Sequence, residues 1–410
     1  MSGPRSPLLP RLLDAAVALV AVLALVRIAM VLPSRATRND FAAYYASSRL
    51  ALEGKDPYTT SLLPVYRSCG FALPSSAPTP TNPPPLIWLF SLVALLAPRP
   101  AFWTAAAVQA AGLAAILWLT RRLLRGRLGA RGWLYVCTGV LASEAVFWHF
   151  CLSQVQLVLA AMMLAGYALL QKGRPNAACV AVTAAGLLKF FPFVLLPWFI
   201  WRGGQNARTR SLRAALSLAA IVVVVLATGP GWWLDFFRAP AKALLDWAIG
   251  PTYFNFCVSS FVTALGSLVH RSAPPGALLN WWRVGCAAGG LLIALCYLAC
   301  RRARPDLEAE FCLLSLAMLA GSPMGWGYYF VFLIFPAAVA VARVGRRPAR
   351  PRVLGLAGVL LLANGFNLQW LGCGIHDLEI LFGYAPFYGL MGLILFFAGE
   401  LARAPGGAGN

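Results

Sequence analysis

Charged residues are scarce. They make up 11% of the 410 residues, against 60% hydrophobic, whereas a soluble domain has about a quarter of its residues charged. That shortage excludes a chain with an ordinary hydrated surface. Acidic residues are rarer still, 13 against 34 lysines and arginines, and histidine occurs only three times. The resulting net charge of +21 does not mark a nucleic-acid binder, whose cations track a phosphate backbone along a polar face. The chain also lacks HExxH, a P-loop, a GxGxxG before a helix and a GxSxG, so metalloprotease, ATPase, dinucleotide and hydrolase readings lose their usual support. No internal repeat stands out, which weakens an inverted-repeat transporter. No CxxC occurs, and Cys137, Cys179, Cys286, Cys296, Cys300 and Cys312 fall inside apolar runs, where cysteine behaves as a small apolar residue. Cys69, Cys151, Cys257 and Cys373 remain to meet an oxidising compartment, and whether any two form a disulfide stays open.

What is present in abundance is apolar sequence of membrane length, roughly 17 to 25 residues per run. The first run, 12–32, follows Arg5 and Arg11 and lacks a small-x-small cleavage site before Pro33, so it reads as an uncleaved anchor. Further spans are expected near 101–120, 132–150, 153–171, 176–201, 211–229, 277–300, 308–321, 326–342, 353–372 and 381–402. The run 84–98 is short and bounded by prolines. The expected fold is an all-α polytopic membrane protein with 11–13 membrane or re-entrant helices, in one transmembrane domain over 1–403, with a Gly-rich disordered tail at 404–410.

Arginines cluster at 121–131, 202–213, 301–304 and 343–352. The positive-inside rule puts all four clusters, and both termini, on the cytoplasmic side. Parity then requires 176–201 to enter and leave on that side, broken at Lys189-Phe190-Phe191-Pro192, and requires 84–98 to stay on the outer side as a re-entrant or juxtamembrane helix. Twelve simple crossings, the competing arrangement, place five arginines outside. The outer surface then holds two substantial segments, 33–83 with juxtamembrane helices and 230–276.

Chemistry concentrates after the first span, where Asp40 precedes Phe41, Tyr44 and Tyr45 at helical spacing. A carboxylate there serves either as a helix N-cap or as a general base at the lipid–water boundary, and the spacing alone leaves both open. The pattern Asp40-x3-Tyr44-Tyr45, then Gly54 and Pro57-Tyr58, resembles the first outer loop of the polyprenyl-phosphate-mannose-dependent mannosyltransferases, family 87 of the glycosyltransferases. Asn82-Pro83-Pro84-Pro85, with Leu95, Leu96 and Pro98, is similar to that family's YPP segment. Ser153-Gln154-Val155-Gln156 and Lys189-Phe190-Phe191-Pro192 resemble its GQ-x-N and K-x-x-P elements, and Ser322-Pro323 with Trp326 its S-P-x-x-W. These anchors span 40–329 in the family's order. Asn82, Ser153 and Gln156 depart from the tyrosine, glycine and asparagine of those motifs, and Tyr328 stands where a histidine is often found.

The resemblance implies a GT-C fold and inverting transfer of a sugar, mannose foremost, from a polyprenyl-phosphate donor to a lipid or glycan acceptor on the outer face of a bacterial plasma membrane. It implies Asp40 as the base. A single-phosphate donor demands no metal or other cofactor, and no acidic pair at ligand spacing occurs; the outer group His376, Asp377 and Glu379 reads as a solvated turn. Lys189, an ammonium within an apolar run, is the candidate for the donor phosphate, with Arg67 and Arg38 as outer-loop alternatives. Tyr44, Tyr45, Tyr58, Glu144, His149, Gln154, Gln156, Ser322, Trp326 and Tyr328 are candidates for sugar or acceptor, as is Asn255. For each the alternative is helix–helix bonding or interfacial anchoring, and for Glu144 pairing with an arginine. The expected partners are the donor, the acceptor and membrane lipids, with no nucleic acid. A lipid or sugar transporter, and an arabinosyl rather than mannosyl transferase, are the rival functions.

Overall fold

Proline and polar caps set where the helices start. The computed structural model describes residues 8–36, 39–73, 80–204, 206–238, 255–269, 275–303, 305–346, 348–365 and 382–403. Arg38, Cys373, His376, Asp377, Glu379, the tail 404–410 and, within 230–276, residues 239–254 and 270–274 lie outside them. Helix α1 (Leu8–Val31) runs into a 3-10 turn at Leu32–Arg35, followed by α2 (Asn39–Leu52), α3 (Leu63–Ser68) and α4 (Pro84–Ala94). Then come α5 (Pro98–Leu123), α6 (Ala130–Leu141), α7 (Glu144–Leu152), α8 (Gln156–Gln171), α9 (Pro175–Leu188), a 3-10 turn at Phe191–Leu195, α10 (Leu196–Gly203) and α11 (Ala207–Thr228). A helical stretch, α12, is described over 230–238. The chain continues with α13 (Val258–Val269), α14 (Pro275–Arg302), α15 (Leu307–Gly321), a 3-10 helix at Gly327–Leu333, α16 (Ile334–Arg346), α17 (Arg350–Ala363) and α18 (Ala385–Ala402). Prolines occupy the first turns of α4, α5, α9, α10, α17 and α18, where a missing N–H costs nothing. Side chains of Ser143, Asn206 and Asp306 cap α7, α11 and α15.

Among the described residues, six helices are long and apolar enough to cross a membrane: Pro10–Arg35, Pro98–Leu123, Ala207–Thr228, Gly276–Arg302, Gly327–Arg346 and Ala385–Ala402. A seventh span results when α6 and α7, bent by 46°, count as one. The other expected runs at 84–98 and 153–171 form apolar helices of 10–17 residues, and 176–201 divides into such a helix, α9, and the 8-residue α10. Run 308–321 is the 15-residue α15, and 353–372 is described only as far as α17. Burial sorts these elements. α15 is apolar on all sides and buried from Ala309 to Ala320, so it is the centre of the bundle. α1 and α11 expose most of their leucines and valines and form its periphery.

The ion pairs gather the arginine clusters on one face. Arg127, between α5 and α6, pairs with Glu308 of α15, which also binds Arg343 at the end of α16. Arg343 reaches Asp306 at 2.8 Å. Arg202, at the end of α10, pairs with the fully buried Glu310 and donates to the carbonyl of Cys300, at the end of α14. Arg352 holds Glu400 of α18 at 2.6 Å, and Arg131 holds Asp14 of α1 at 3.0 Å. Arg127 and Arg343 therefore share one surface, which twelve simple crossings do not allow.

The segment 175–203 is a hairpin. Pro192 would clash with the carbonyl of Leu188, so α9 ends there and Lys189 turns extended, at φ −156° and ψ 130°. Phe193 then folds back over Gly186, where an added Cβ would meet its ring. At the other end a Cβ on Gly203 would lie 2.5 Å from Pro175, so the segment finishes beside its own start. Helix α4 stays against α2: Ser48 donates to the carbonyl of Ile87 at 2.9 Å and Tyr45 to that of Leu96 at 2.9 Å. The segment 175–203 thus doubles back on itself, and α4 lies along α2.

Candidate active site

The end of the bundle opposite the arginine face is built by a turn that the sequence makes strained. Helix α7 stops at Leu152 because Ser153 adopts the left-handed conformation, at φ 53° and ψ 45°, the only non-glycine among the described residues to do so. The amides of Ser153 and Gln154 return to the carbonyls of Phe150 and His149, closing the helix, and α8 begins again at Gln156. His149, fully buried, accepts the Leu157 amide on Nε2 at 3.0 Å and so caps the first turn of α8. Gln154 in the connector and Gln156 at the start of α8 are thereby fixed, both buried.

Three other elements meet this turn. Helix α2 brings Asp40 in its first turn and Tyr44 one turn later; Phe41 packs edge-on to Phe102 and Tyr44 stacks on Phe90, at 5.2 and 5.5 Å, so the helix cannot roll. The break after α9 brings Lys189. The 3-10 helix Gly327–Leu333 brings Tyr328 and Tyr329, behind a loop that Asn255 clamps: its Oδ1 accepts the Gly325 amide at 2.6 Å, while the Phe256 amide donates to Gly325 at 2.8 Å.

Gln154 ties these together. Its Nε2 donates to Asp40 Oδ2, while its Oε1 accepts from Tyr44 at 3.2 Å, Gln156 at 3.3 Å and Lys189 Nζ at 3.3 Å. Lys189 also lies 5.3 Å above the ring of Tyr329. Burial pushes the Asp40 carboxyl up to about 6, against the opposing pull of the Lys189 ammonium and the Gln154 hydrogen bond. A carboxylate of that basicity, beside a cation, suits the removal of a proton from a hydroxyl near a departing anion. Along α8 and α9, with 16 and 14 residues, the cluster lies about 21–24 Å from the arginine face.

The structure thus brings together Asp40, Tyr44, Gln154, Gln156 and Lys189. Tyr328, half-buried, has its ring 5.0 Å from Tyr329 and lies within electrostatic reach of Asp40. Trp326 is half-buried at the 3-10 N-terminus, bridged to Asn255, and Ser322 donates to the Met324 carbonyl within the same turn. Other candidates have structural partners. Tyr45 donates to Leu96, and Tyr58 to the Asn82 carbonyl at 2.6 Å. Glu144 pairs with Arg27, whose guanidinium sits 3.6 Å over Phe147, so it takes the structural alternative. Arg67 is exposed on α3. Cys69 and Cys257 are thiols. No group of three or more His, Cys, Asp or Glu converges among the described residues. Tyr329 was not singled out by its sequence; the doubled tyrosine after Trp326 was the available signal.

A family model described as Glycosyltransferase family 87 matches residues 81–323, more than half of the chain. No curated protein matches it. The matched region holds Gln154, Gln156 and Lys189 and begins after Asp40. With its helical membrane architecture, the chain belongs to glycosyltransferase family 87 and is a membrane glycosyltransferase of the GT-C type.

Proposed function

We propose that the enzyme transfers a sugar, mannose foremost, from a polyprenyl-phosphate donor to a lipid or glycan acceptor on the outer side of the membrane. The observation that carries this reading is the pairing of a basic carboxylate, Asp40, with an ammonium, Lys189, across one amide, at the end of the bundle away from the arginine face. The positive-inside rule makes that end the outer one.

The reaction needs few groups. The acceptor oxygen attacks the anomeric carbon as Asp40 takes its proton, and the bond from that carbon to the phosphate oxygen breaks on the opposite face, inverting the centre. The electron pair leaves with the phosphate, whose growing charge Lys189 neutralises. Tyr44, Gln156, Tyr328 and Tyr329 surround the two groups and offer hydrogen bonds to sugar hydroxyls. No step calls on a metal, because the leaving group is a phosphate already able to depart as an anion.

Incubation of the purified enzyme with defined polyprenyl-phosphate mannose or arabinose and total membrane lipids, with mass spectrometry of the products, tests the reading. A product heavier by one hexose, with release of polyprenyl phosphate, is expected. Pentose transfer in its place makes the enzyme an arabinosyltransferase, and no transfer from either donor overturns the proposal.

A further inference from the structure

A buried guanidinium on the arginine face points at the positive end of a helix. Arg213 of α11 is 8% exposed, its Nη1 is buried without a hydrogen-bond partner, and its Nε donates to Asn176 Oδ1 at 2.9 Å. Asn176 lies in the first turn of the 14-residue α9. That helix has no side-chain cap at Arg174, and Pro175 has no N–H, so the amides of Asn176 and Ala177 have no intrahelical partner. Gly203 and Gly204 let the cations converge: a Cβ on Gly204 would lie 3.0 Å from Arg213 Nη1 and would also press on Arg210. Lys172, Arg174, Arg210 and Arg213 have no acidic partner within 4 Å among the described residues. Arg127, Arg202 and Arg343, half-buried on the same face, all have one.

Cations packed around a helix N-terminus repel one another unless an anion joins them, and helix amides with a guanidinium fork form a phosphate-binding set. We propose that this corner binds the phosphate of an anionic membrane lipid, held by the α9 N-terminus and Arg213, with Lys172, Arg174 and Arg210 around it. A lipid fits better than free phosphate because the same helices continue as apolar surface. Val180 on α9, and Leu212 and Leu216 on α11, are exposed within about a turn of the site, where acyl chains can lie. The site is on the opposite face from Asp40 and does not depend on the proposed reaction.

The test is thermal unfolding of the full-length protein in detergent, titrated with phosphatidylglycerol, phosphatidylcholine or inorganic phosphate. A saturable rise in unfolding temperature with phosphatidylglycerol alone is expected. It is lost in Arg213→Gln and weakened severalfold in Arg174→Gln, an exposed change that keeps the comparison valid where Arg213→Gln does not fold. Asn176→Asp places a carboxylate beside Arg213, so it raises the lipid-free unfolding temperature and removes the lipid response. Equal stabilisation by phosphatidylcholine, or an undiminished response in both arginine variants, overturns the site. An equal response to inorganic phosphate overturns the lipid and leaves a free-phosphate site.

Discussion

Gln154 donates its side-chain N–H to the carboxylate of Asp40, 114 residues earlier in the chain. The direction of that bond is fixed, because Tyr44, Gln156 and Lys189 all donate to the opposite end of the same amide. A carboxylate so held is oriented, and the bond opposes part of the rise that burial gives its pKa.

Asp40 protonates as the pH falls through about 6, and a protonated carboxyl cannot accept the acceptor's proton. The profile of kcat/KM against pH is therefore expected to fall on the acid side with an apparent pKa near 6. Gln154→Met removes a donor that favours the ionised form, so the limb moves to higher pH. An acid limb at the ordinary carboxylate value, or one unmoved in Gln154→Met, contradicts the assignment.

Lys189→Ala removes the cation proposed to meet the donor phosphate. A hydrogen bond to a charged group contributes about 1.5–3 kcal/mol, so KM for the donor is expected to rise by roughly 10- to 100-fold, with a smaller change in kcat. Steady-state kinetics with the donor varied separate the two. An unchanged KM assigns Lys189 to holding Gln154 alone.

Ser153 occupies a backbone conformation that costs a residue with a side chain about 1–2 kcal/mol. Glycine avoids that cost but loses more chain entropy on folding. Ser153→Gly is accordingly expected to stabilise the protein by about 0.5–1 kcal/mol, with activity retained. Thermal unfolding measures it, and a lower unfolding temperature contradicts the strain.

The arginine face is expected to be cytoplasmic. Arg125→Cys, exposed between α5 and α6, tests this in a Cys69→Ser, Cys373→Ser background; its neighbour Gly126 is unsuitable because its φ is +72°. An impermeant thiol reagent should label position 125 in inverted membrane vesicles and not in intact cells. The reverse pattern refutes the orientation.

The membrane character, most apolar segments and the break at Lys189 were legible because each depends on local sequence: run length, charge clusters, and a proline four residues after Leu188. Charge parity called for 175–203 to double back, and the two ends of that segment, at Pro175 and Gly203, lie side by side. The convergence of Asp40, Gln154 and Lys189 was not legible as a contact, since it joins helices far apart in the chain; only the motif resemblance grouped them. Partner choice was likewise hidden. Glu144 and His149 lie a turn or so apart on one helix, yet one pairs with Arg27 of α1 and the other caps α8, and nothing local to either residue distinguishes those fates.

Asp40→Asn is the substitution on which the mechanism turns. The amide keeps the shape of the side chain and cannot take a proton, and burial opposes only the charged form, so the variant should fold and bind donor. Its rate of sugar transfer, measured in reconstituted membranes with the natural donor class, is expected to fall by about 10²- to 10⁴-fold with donor affinity largely kept. Transfer at the wild-type rate would show that Asp40 is not the base.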